Sequence, residues 1–386
     1  WNVNVNFVVS HDMFKSEPTV LVPHGNRFLF GKNGFVFVAA VDPEDEVSVK
    51  LMVAKDLRRL TPASFSPAML PVSLNEHSYT ILNANENSVF LHVNHKPFSD
   101  NAYAGHIYVS DSTGTQYSLS LPFNHRNGMG KCDFTSLEGI EGIFLANFVD
   151  EIEMTERTHV QDDVDEADRH ESIYGRSGSR ATSSLRIKTV ITYNKGAEWS
   201  YLDAPDVDAD GNPYKCKREG NCHLHLHGVT HGFGPFYSVP SARGLIMATG
   251  MVGSFLHSVP GLINTYFSED GGLTWREVAK GSHIYEFGDH GGLVVMAPDQ
   301  APTNKLYYSW DHARTWTPYV FSDTEMMVEN IITEPSSTSP TVIVYGTSAG
   351  EHSSGVGMIV VVDFMQLHTR KCAGIDAPGK FAFASG

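Results

Sequence analysis

Apolar residues along this chain come in short runs rich in Val, Ile, Phe and Tyr, and each run is cut by Gly, Asp, Asn or Pro. Phe35-Val36-Phe37-Val38, Ser88-Val89-Phe90-Leu91-His92-Val93, Gly142-Ile143-Phe144-Leu145, Thr189-Val190-Ile191-Thr192 and Thr341-Val342-Ile343-Val344-Tyr345 are examples. Helical periodicity is scarce, and runs of this length bounded by turn formers predict strands. The chain therefore reads as all-β.

The turns carry a repeat. Ser268-Glu269-Asp270-Gly271-Gly272-Leu273-Thr274-Trp275 and Ser309-Trp310-Asp311-His312-Ala313-Arg314-Thr315-Trp316 share the pattern S-x-D-x-x-x-T-W, and each follows an apolar run. This is an Asp-box. The carboxylate accepts backbone N–H groups of a tight turn, small residues allow positive φ, and the Trp packs beneath the hairpin. Weaker copies are Thr192 to Trp199, Ser110 to Tyr117 with Ser110 and Ser112 in the box positions, and Ala54-Lys55-Asp56. The turn aromatics Tyr117, Trp199, Trp275 and Trp316 are spaced by one or two units of about 40 residues, the length of a four-stranded propeller blade. Residues 150–184 break the rhythm with an acidic stretch (Asp162, Asp163, Asp165, Glu166, Asp168) and Gly175-Arg176-Ser177-Gly178-Ser179. They read as a disordered insertion between two strands of one blade.

Charge narrows the partners. Asp and Glu number 44 against 28 Lys and Arg, a formal charge of −16, and such a surface repels nucleic-acid backbones and anionic lipid. The apolar run Met358 to Val362 ends at Asp363, far short of the roughly 20 residues of a membrane helix. The chain opens on Trp1 without a basic and apolar leader, so its true start is expected to have been removed by processing or truncation. There is no Asn-x-Ser/Thr sequon.

Candidate chemistry is thin. His223, His225 and His227 alternate on a strand, but same-face neighbours lie roughly 6.5–7 Å apart, awkward for one small ion; a polar strand face is the expected role. Asp206-Val207-Asp208-Ala209-Asp210-Gly211 resembles the start of a calcium loop, yet Lys217 stands where the closing Glu belongs, so a polar turn is expected. His290, in Gly288-Asp289-His290-Gly291-Gly292, reads as a turn residue. Cys216 and Cys222 flank a short loop that can close as a disulfide or remain two thiols, and Cys132 and Cys372 have no obvious partner. No metal site and no cofactor is expected. Asp-boxes also occur in propeller glycosidases such as sialidases, which makes a secreted hydrolase the second reading. Arg58, Arg59, Arg176 and Arg180 fall in turns or the insertion, away from strands where a sialidase would need converging arginines.

Ordered segments then resemble a known family. Cys216 with Cys222-His223-Leu224-His225-Leu226-His227 looks like the cysteine hairpin and following strand of the sortilin and vacuolar-protein-sorting receptors. Leu245 to Gly253, Trp275-Arg276-Glu277-Val278, Phe287 to Gly292 and Ile332-Thr333-Glu334-Pro335 are similar as well. So are Gly25 to Phe30, Tyr79-Thr80-Ile81-Leu82 and Val89 to Val93. The resemblance implies a non-enzymatic cargo receptor of the secretory-pathway lumen, Golgi and endosome. Such a receptor is a type I membrane protein that binds protein or peptide cargo in the tunnel of a ten-bladed propeller and engages cytosolic sorting machinery through a tail. Residues 1–371 would hold the last five to six blades, about half the ring, and 372–386 would begin a cysteine-rich module. It also implies a disulfide between Cys216 and Cys222. The family's ligand pocket maps onto Phe37, Ala39, Val49, Lys50 and Tyr79; Val49 stands at the family's arginine, and Lys50 could replace it only by a one-residue register slip. With 19 His, release of cargo by protonation near pH 5–6 is a further expectation.

Overall fold

A computed structural model describes residues 5–31, 34–42, 45–56, 60–75, 78–85, 87–95, 104–150, 185–218, 222–348 and 356–365. The acidic insertion beyond Asp150, the segment 372–386, and Arg58, Arg59, Arg176 and Arg180 lie outside these residues. Every strand pair described is antiparallel, and the strands succeed one another as meanders. One sheet joins Gly25–Phe30, Phe35–Asp42, Asp45–Lys55 and Ser66–Pro67, with Leu74–Asn75 beside the third strand. A twelve-stranded run contains three meanders in turn. They are Tyr79–Ala84 to Tyr117–His125, Phe134–Ser136 to Ser200–Asp203, and His223–Leu226 to Arg276–Lys280. His283–Gly288 to Thr317–Val320 form a four-stranded sheet, and Met326–Ile332, Thr341–Ser348 and Gly357–Asp363 a three-stranded one.

The meanders of the long run touch edge to edge only briefly, at Asn124–Phe148 and at Leu202–Leu224 with Asp203–His223. Their main contact is face to face, and alternation along the strands makes it so. On Leu293–Pro298, Val294 and Met296 pack with Met247, Phe267, Tyr285 and Phe287 on one side. Leu293, Val295 and Ala297 pack with Met326, Val328, Val342 and Val344 on the other. Phe90 likewise joins Phe134 and Phe144, while Val89, Leu91 and Val93 join Phe37, Leu51 and Val53. Sheets buried on both faces need continuous apolar strands rather than alternating ones. That is why the runs are solidly Val, Leu and Phe, and such serial sheet stacking is the packing of propeller blades. Strands Phe144–Val149 and Ile187–Thr192 pair over their whole length, so the insertion leaves one meander and re-enters it next door.

The Asp-boxes join third to fourth strands. In two of them the same bonds recur: Ser268 Oγ donates to Asp270 at 2.9 Å and Ser309 Oγ to Asp311 at 2.7 Å. The Thr274 and Thr315 backbone N–H groups donate to those carboxylates at 2.9 Å each. The weaker copy uses Asn194, which accepts from Thr192 Oγ1 and from the Glu198 N–H. Positive φ falls at the same two places in each, on Gly271 and Gly272, Lys195 and Gly196, and His312 and Ala313. Trp275 Nε1 donates to the Gly272 carbonyl, and Trp199 Nε1 to Ser120 Oγ; Trp316 packs against the Phe267–Tyr285 core. Asp56 ends its strand with φ 91°.

In the turn after Ala104–Ser110 the capping carboxylate is Asp111, not the residue at 112. Asp111 Oδ1 accepts the Thr115 and Gln116 N–H groups, while Ser112 offers only its carbonyl, to Lys55. The turn shifts the box by one residue because the acidic side chain, wherever it stands, takes the orphan donors.

The calcium-like loop is already answered by a cation of the protein. Asp208 Oδ1 caps its own turn through the Asp210 and Asn212 N–H groups, and Oδ2 meets Lys280 Nζ at 2.9 Å. That lysine and these turn bonds hold the Asp208 carboxyl down at about 2. Lys280 also reaches the buried Glu277 at 2.6 Å, and Glu277 further accepts from Tyr214, Tyr266, Asn264 and the Ala209 N–H. One lysine thus closes a loop of 206–212 onto the outer strand.

Two stability measurements follow from these contacts. Asp111→Ala is expected to lower the unfolding free energy by about 1–2 kcal/mol and Ser112→Ala to stay within about 0.5 kcal/mol of the parent, as read from urea midpoints. Lys280→Met takes the cation from the buried Glu277 carboxylate, which keeps its bonds from Tyr214, Tyr266, Asn264 and the Ala209 N–H, and is expected to cost about 1–2 kcal/mol. Adding Glu277→Gln to Lys280→Met should recover part of that loss; a double variant no more stable than the single would show that the two side chains are not coupled.

Candidate functional site

The five pocket positions divide between the core and the surface. Phe37, Ala39 and Val49 share one face of their sheet and are buried against Val89, Leu91, Val93 and Tyr108 of the next meander. Tyr79 is half-buried at the margin of the same cluster. Lys50 points to the opposite side from Val49, as strand alternation requires, and pairs with Asp42 at 2.9 Å. The strand keeps its regular register there, Val41 opposite Val49 and Ala40 opposite Lys50, so no slip brings the lysine onto the Val49 face. Phe37, Ala39 and Val49 are 1%, 3% and 7% exposed in this packing.

The histidine strand is buried rather than displayed. His225 and His227 have no exposed surface, and each imidazole has its own partner. His223 stacks on Tyr201 at 4.7 Å between centroids. His225 Nδ1 accepts the Thr189 N–H, and His227 Nε2 lies 3.2 Å from the His257 carbonyl. Burial holds His225 and His227 down at about 3, and His92 likewise. His290 sits in the short turn Asp289–Gly291 with φ 56°, its N–H donated to the Ser337 carbonyl; it has no part in an acid–base pair. Cys216 and Cys222 are disulfide-bonded, with Cα atoms 5.2 Å apart, and Cys132 is a buried thiol that burial pushes up to about 12.

Sequence reasoning passed over the most heavily bonded polar group. Asp133 is fully buried just before Phe134–Ser136. Its Oδ2 meets His125 Nδ1 at 2.9 Å, Asn147 Nδ2 at 3.1 Å and Thr230 Oγ1 at 2.7 Å, and its Oδ1 accepts the Thr230 N–H at 2.9 Å. Burial alone would raise the carboxyl; the bonds from His125 and Thr230 outweigh it and hold it below its ordinary range. His231 completes the group, its ring stacked on His125 at 5.5 Å. Gly228 belongs to the design, because a Cβ there would lie 2.3 Å from the Asp133 carboxyl carbon. The sequence signal was present in Gly228-Val229-Thr230-His231, but nothing local connects it to Asp133 nearly a hundred residues earlier.

This group is not a hydrolytic triad. A triad needs the hydroxyl on one imidazole nitrogen and the carboxylate on the other. Here Thr230 Oγ1 and Asp133 both address Nδ1 of His125, at 3.1 and 2.9 Å. His231 likewise turns one nitrogen to both, Nδ1 lying 3.0 Å from Thr230 Oγ1 and 3.8 Å from Asp133 Oδ2, so neither ring stands between nucleophile and acid.

The buried imidazoles make stability depend on pH. His92, His225 and His227 stay neutral in the fold down to about 3, whereas the unfolded chain protonates them near 6.5. The unfolded state therefore binds more protons below that value, and the stability these groups support is lost as pH falls. The expected slope is roughly 1.4 kcal/mol per pH unit for each imidazole between about pH 6 and 4. Urea midpoints across that range check it; a flat profile would show the three rings to be solvated.

The family model described as Sortilin-Vps10 (sortilin, neurotensin receptor 3) matches residues 1–331. The vacuolar protein sorting/targeting protein 10 of Ajellomyces capsulatus is 34% identical over 346 residues, covering 87% of this chain and 22% of that protein. Its namesake in Talaromyces stipitatus is 34% identical over 373 residues, 95% of this chain and 22% of that one. The chain thus spans about a fifth of the length of these relatives. Among solved structures, an α-L-arabinofuranosidase of Fusarium graminearum is similar at a TM-score of 0.32 and 10% identity, covering 88% of this chain and 92% of that one, a likeness too loose to bear on function. On the family model and the identity to two fungal sorting proteins, the chain belongs to the sortilin–Vps10 family.

Proposed function

We propose that this chain is a cargo-binding part of a sorting receptor that works in the secretory-pathway lumen and delivers proteins towards the vacuole or lysosome. The observation that carries the reading is the family match over residues 1–331 together with 34% identity to proteins named for vacuolar sorting. Its ring closure as half of a ten-bladed propeller, a membrane anchor and a tail for cytosolic machinery are part of the same proposal. The family match and the names of the fungal relatives favour a binding protein over the glycosidase reading.

The surface best suited to an extended peptide is the strand Gly25–Phe30. Among the described strands it pairs only with Phe35–Asp42, and it exposes Phe28, Leu29 and Phe30 in succession. An open strand edge offers backbone donors and acceptors in register, and flanking aromatics supply desolvated area, which is peptide capture by strand addition. Two of the family pocket positions stand on the neighbouring strand: Leu29 pairs with Phe37 and Arg27 with Ala39. With Val49 buried and Lys50 held by Asp42, cargo would be bound through its backbone and apolar side chains rather than through a terminal carboxylate.

Binding of a vacuolar hydrolase propeptide to the chain, measured by calorimetry, tests this. Phe30→Asp is expected to weaken it at least about tenfold, and amidating the peptide's C-terminus to change it less than about twofold. No binding by the parent chain would overturn the receptor reading, and unchanged binding by Phe30→Asp would overturn the strand-edge site alone.

A further inference from the structure

We propose that His125, Asp133, Thr230 and His231 form a binding site for one divalent transition-metal ion of the zinc class. Nδ1 of His125, Nδ1 of His231 and a carboxylate oxygen of Asp133 all lie within 4.8 Å of one another. Asp133 Oδ2 stands 2.9 Å from the first nitrogen and 3.8 Å from the second. Thr230 Oγ1 is 2.7 Å from that oxygen and 3.1 and 3.0 Å from the two nitrogens. Bonds of about 2.0–2.1 Å in a tetrahedral site place ligand atoms about 3.3–3.4 Å apart. Five of the six edges run from 2.7 to 3.8 Å, so the four donors approach a tetrahedron whose corners need move by up to about 0.7 Å.

The donor set decides the class of ion. Two imidazoles and one carboxylate suit zinc, cobalt or nickel, and are poor for calcium or magnesium, which require several oxygen ligands. Each imidazole would offer Nδ1 as a lone pair with its proton on Nε2. The supporting bonds are those of a metal centre's surroundings: Asn147 Nδ2 holds one carboxylate oxygen and the Thr230 N–H the other, fixing the oxygen that faces the two rings. Entry is from the loop side, where the His231 side chain keeps 14% of its surface open while Asp133 keeps none. The three segments that meet here come from separate meanders, so an ion would clamp the connection before Phe134 to the loop after Leu226.

The chain is stripped with chelator and titrated with zinc chloride against a chromophoric indicator, then with cobalt(II) chloride for its visible spectrum. One tight equivalent of zinc and an intense tetrahedral cobalt band are expected. His231→Gln, on the partly open loop, should weaken the zinc equivalent by about tenfold to a hundredfold, whereas His223→Gln, whose ring stacks on Tyr201, should leave it unchanged. Affinity should also fall with pH as protons compete for the nitrogens. Zinc bound equally well by His231→Gln, a cobalt spectrum of purely octahedral intensity, or no tight zinc in the parent would each overturn the site. The cobalt spectrum of the parent decides the matter if the variant does not fold.

Discussion

A carboxylate taken wholly out of water is tolerable only when nearly every lone pair is bonded, and Asp133 meets that condition with groups from three different meanders. His125 ends one, Asn147 sits in the next, and Thr230 follows the first strand of the third. The requirement propagates. Asn147 passes a second bond to the Leu226 carbonyl and accepts from Thr189 Oγ1, and Thr189 gives its N–H to His225. Asn124 ties the Asp133 carbonyl to that of Asn147. A polar seam therefore crosses sheets that otherwise touch through apolar faces, and it sets their relative height, which hydrophobic contact by itself leaves free to slide.

Around that seam the stacking is driven by area. Each meander presents one row of side chains backwards and one forwards, so burying both rows demands a neighbour on each side. The last sheet has such a neighbour on one face only among the described residues: Val342, Val344 and Val362 are buried, while Ile359 and Val361 on the other side stand 75% and 63% exposed. The same side chains that make a stable stack make an exposed face costly. Arg276 adds a polar link between successive turns, donating to the carbonyls of His312 and Ala313, where two non-glycine residues hold positive φ.

Much of this was legible in the chain. The apolar runs gave the strands, the S-x-D-x-x-x-T-W turns gave the third-to-fourth hairpins, and the pairing of strands across the acidic stretch followed from reading residues 150–184 as an insertion within one blade. The Ser110–Tyr117 turn was read one residue out, because a pattern fixes the spacing of the box but not which carboxylate reaches the donors. The Asp206–Asp210 loop is the polar turn its missing closing Glu suggested, and what the pattern did not show is Lys280, brought to Asp208 by a strand some seventy residues later. Phe37, Ala39 and Val49 came from the family resemblance as pocket positions; that they share a face packed against the next sheet was not legible.

The sequence by itself determined the class of fold, the local turns and the family, since each depends on residues close together or on ordered motifs along the chain. Only the tertiary structure decided which polar groups meet. His125, Asp133, Thr230 and His231 are contributed by segments about a hundred residues apart, and no periodicity relates them. Their encounter is fixed by how far each sheet is offset on its neighbour, a quantity set by side-chain packing over whole faces and therefore invisible to any short stretch of the chain.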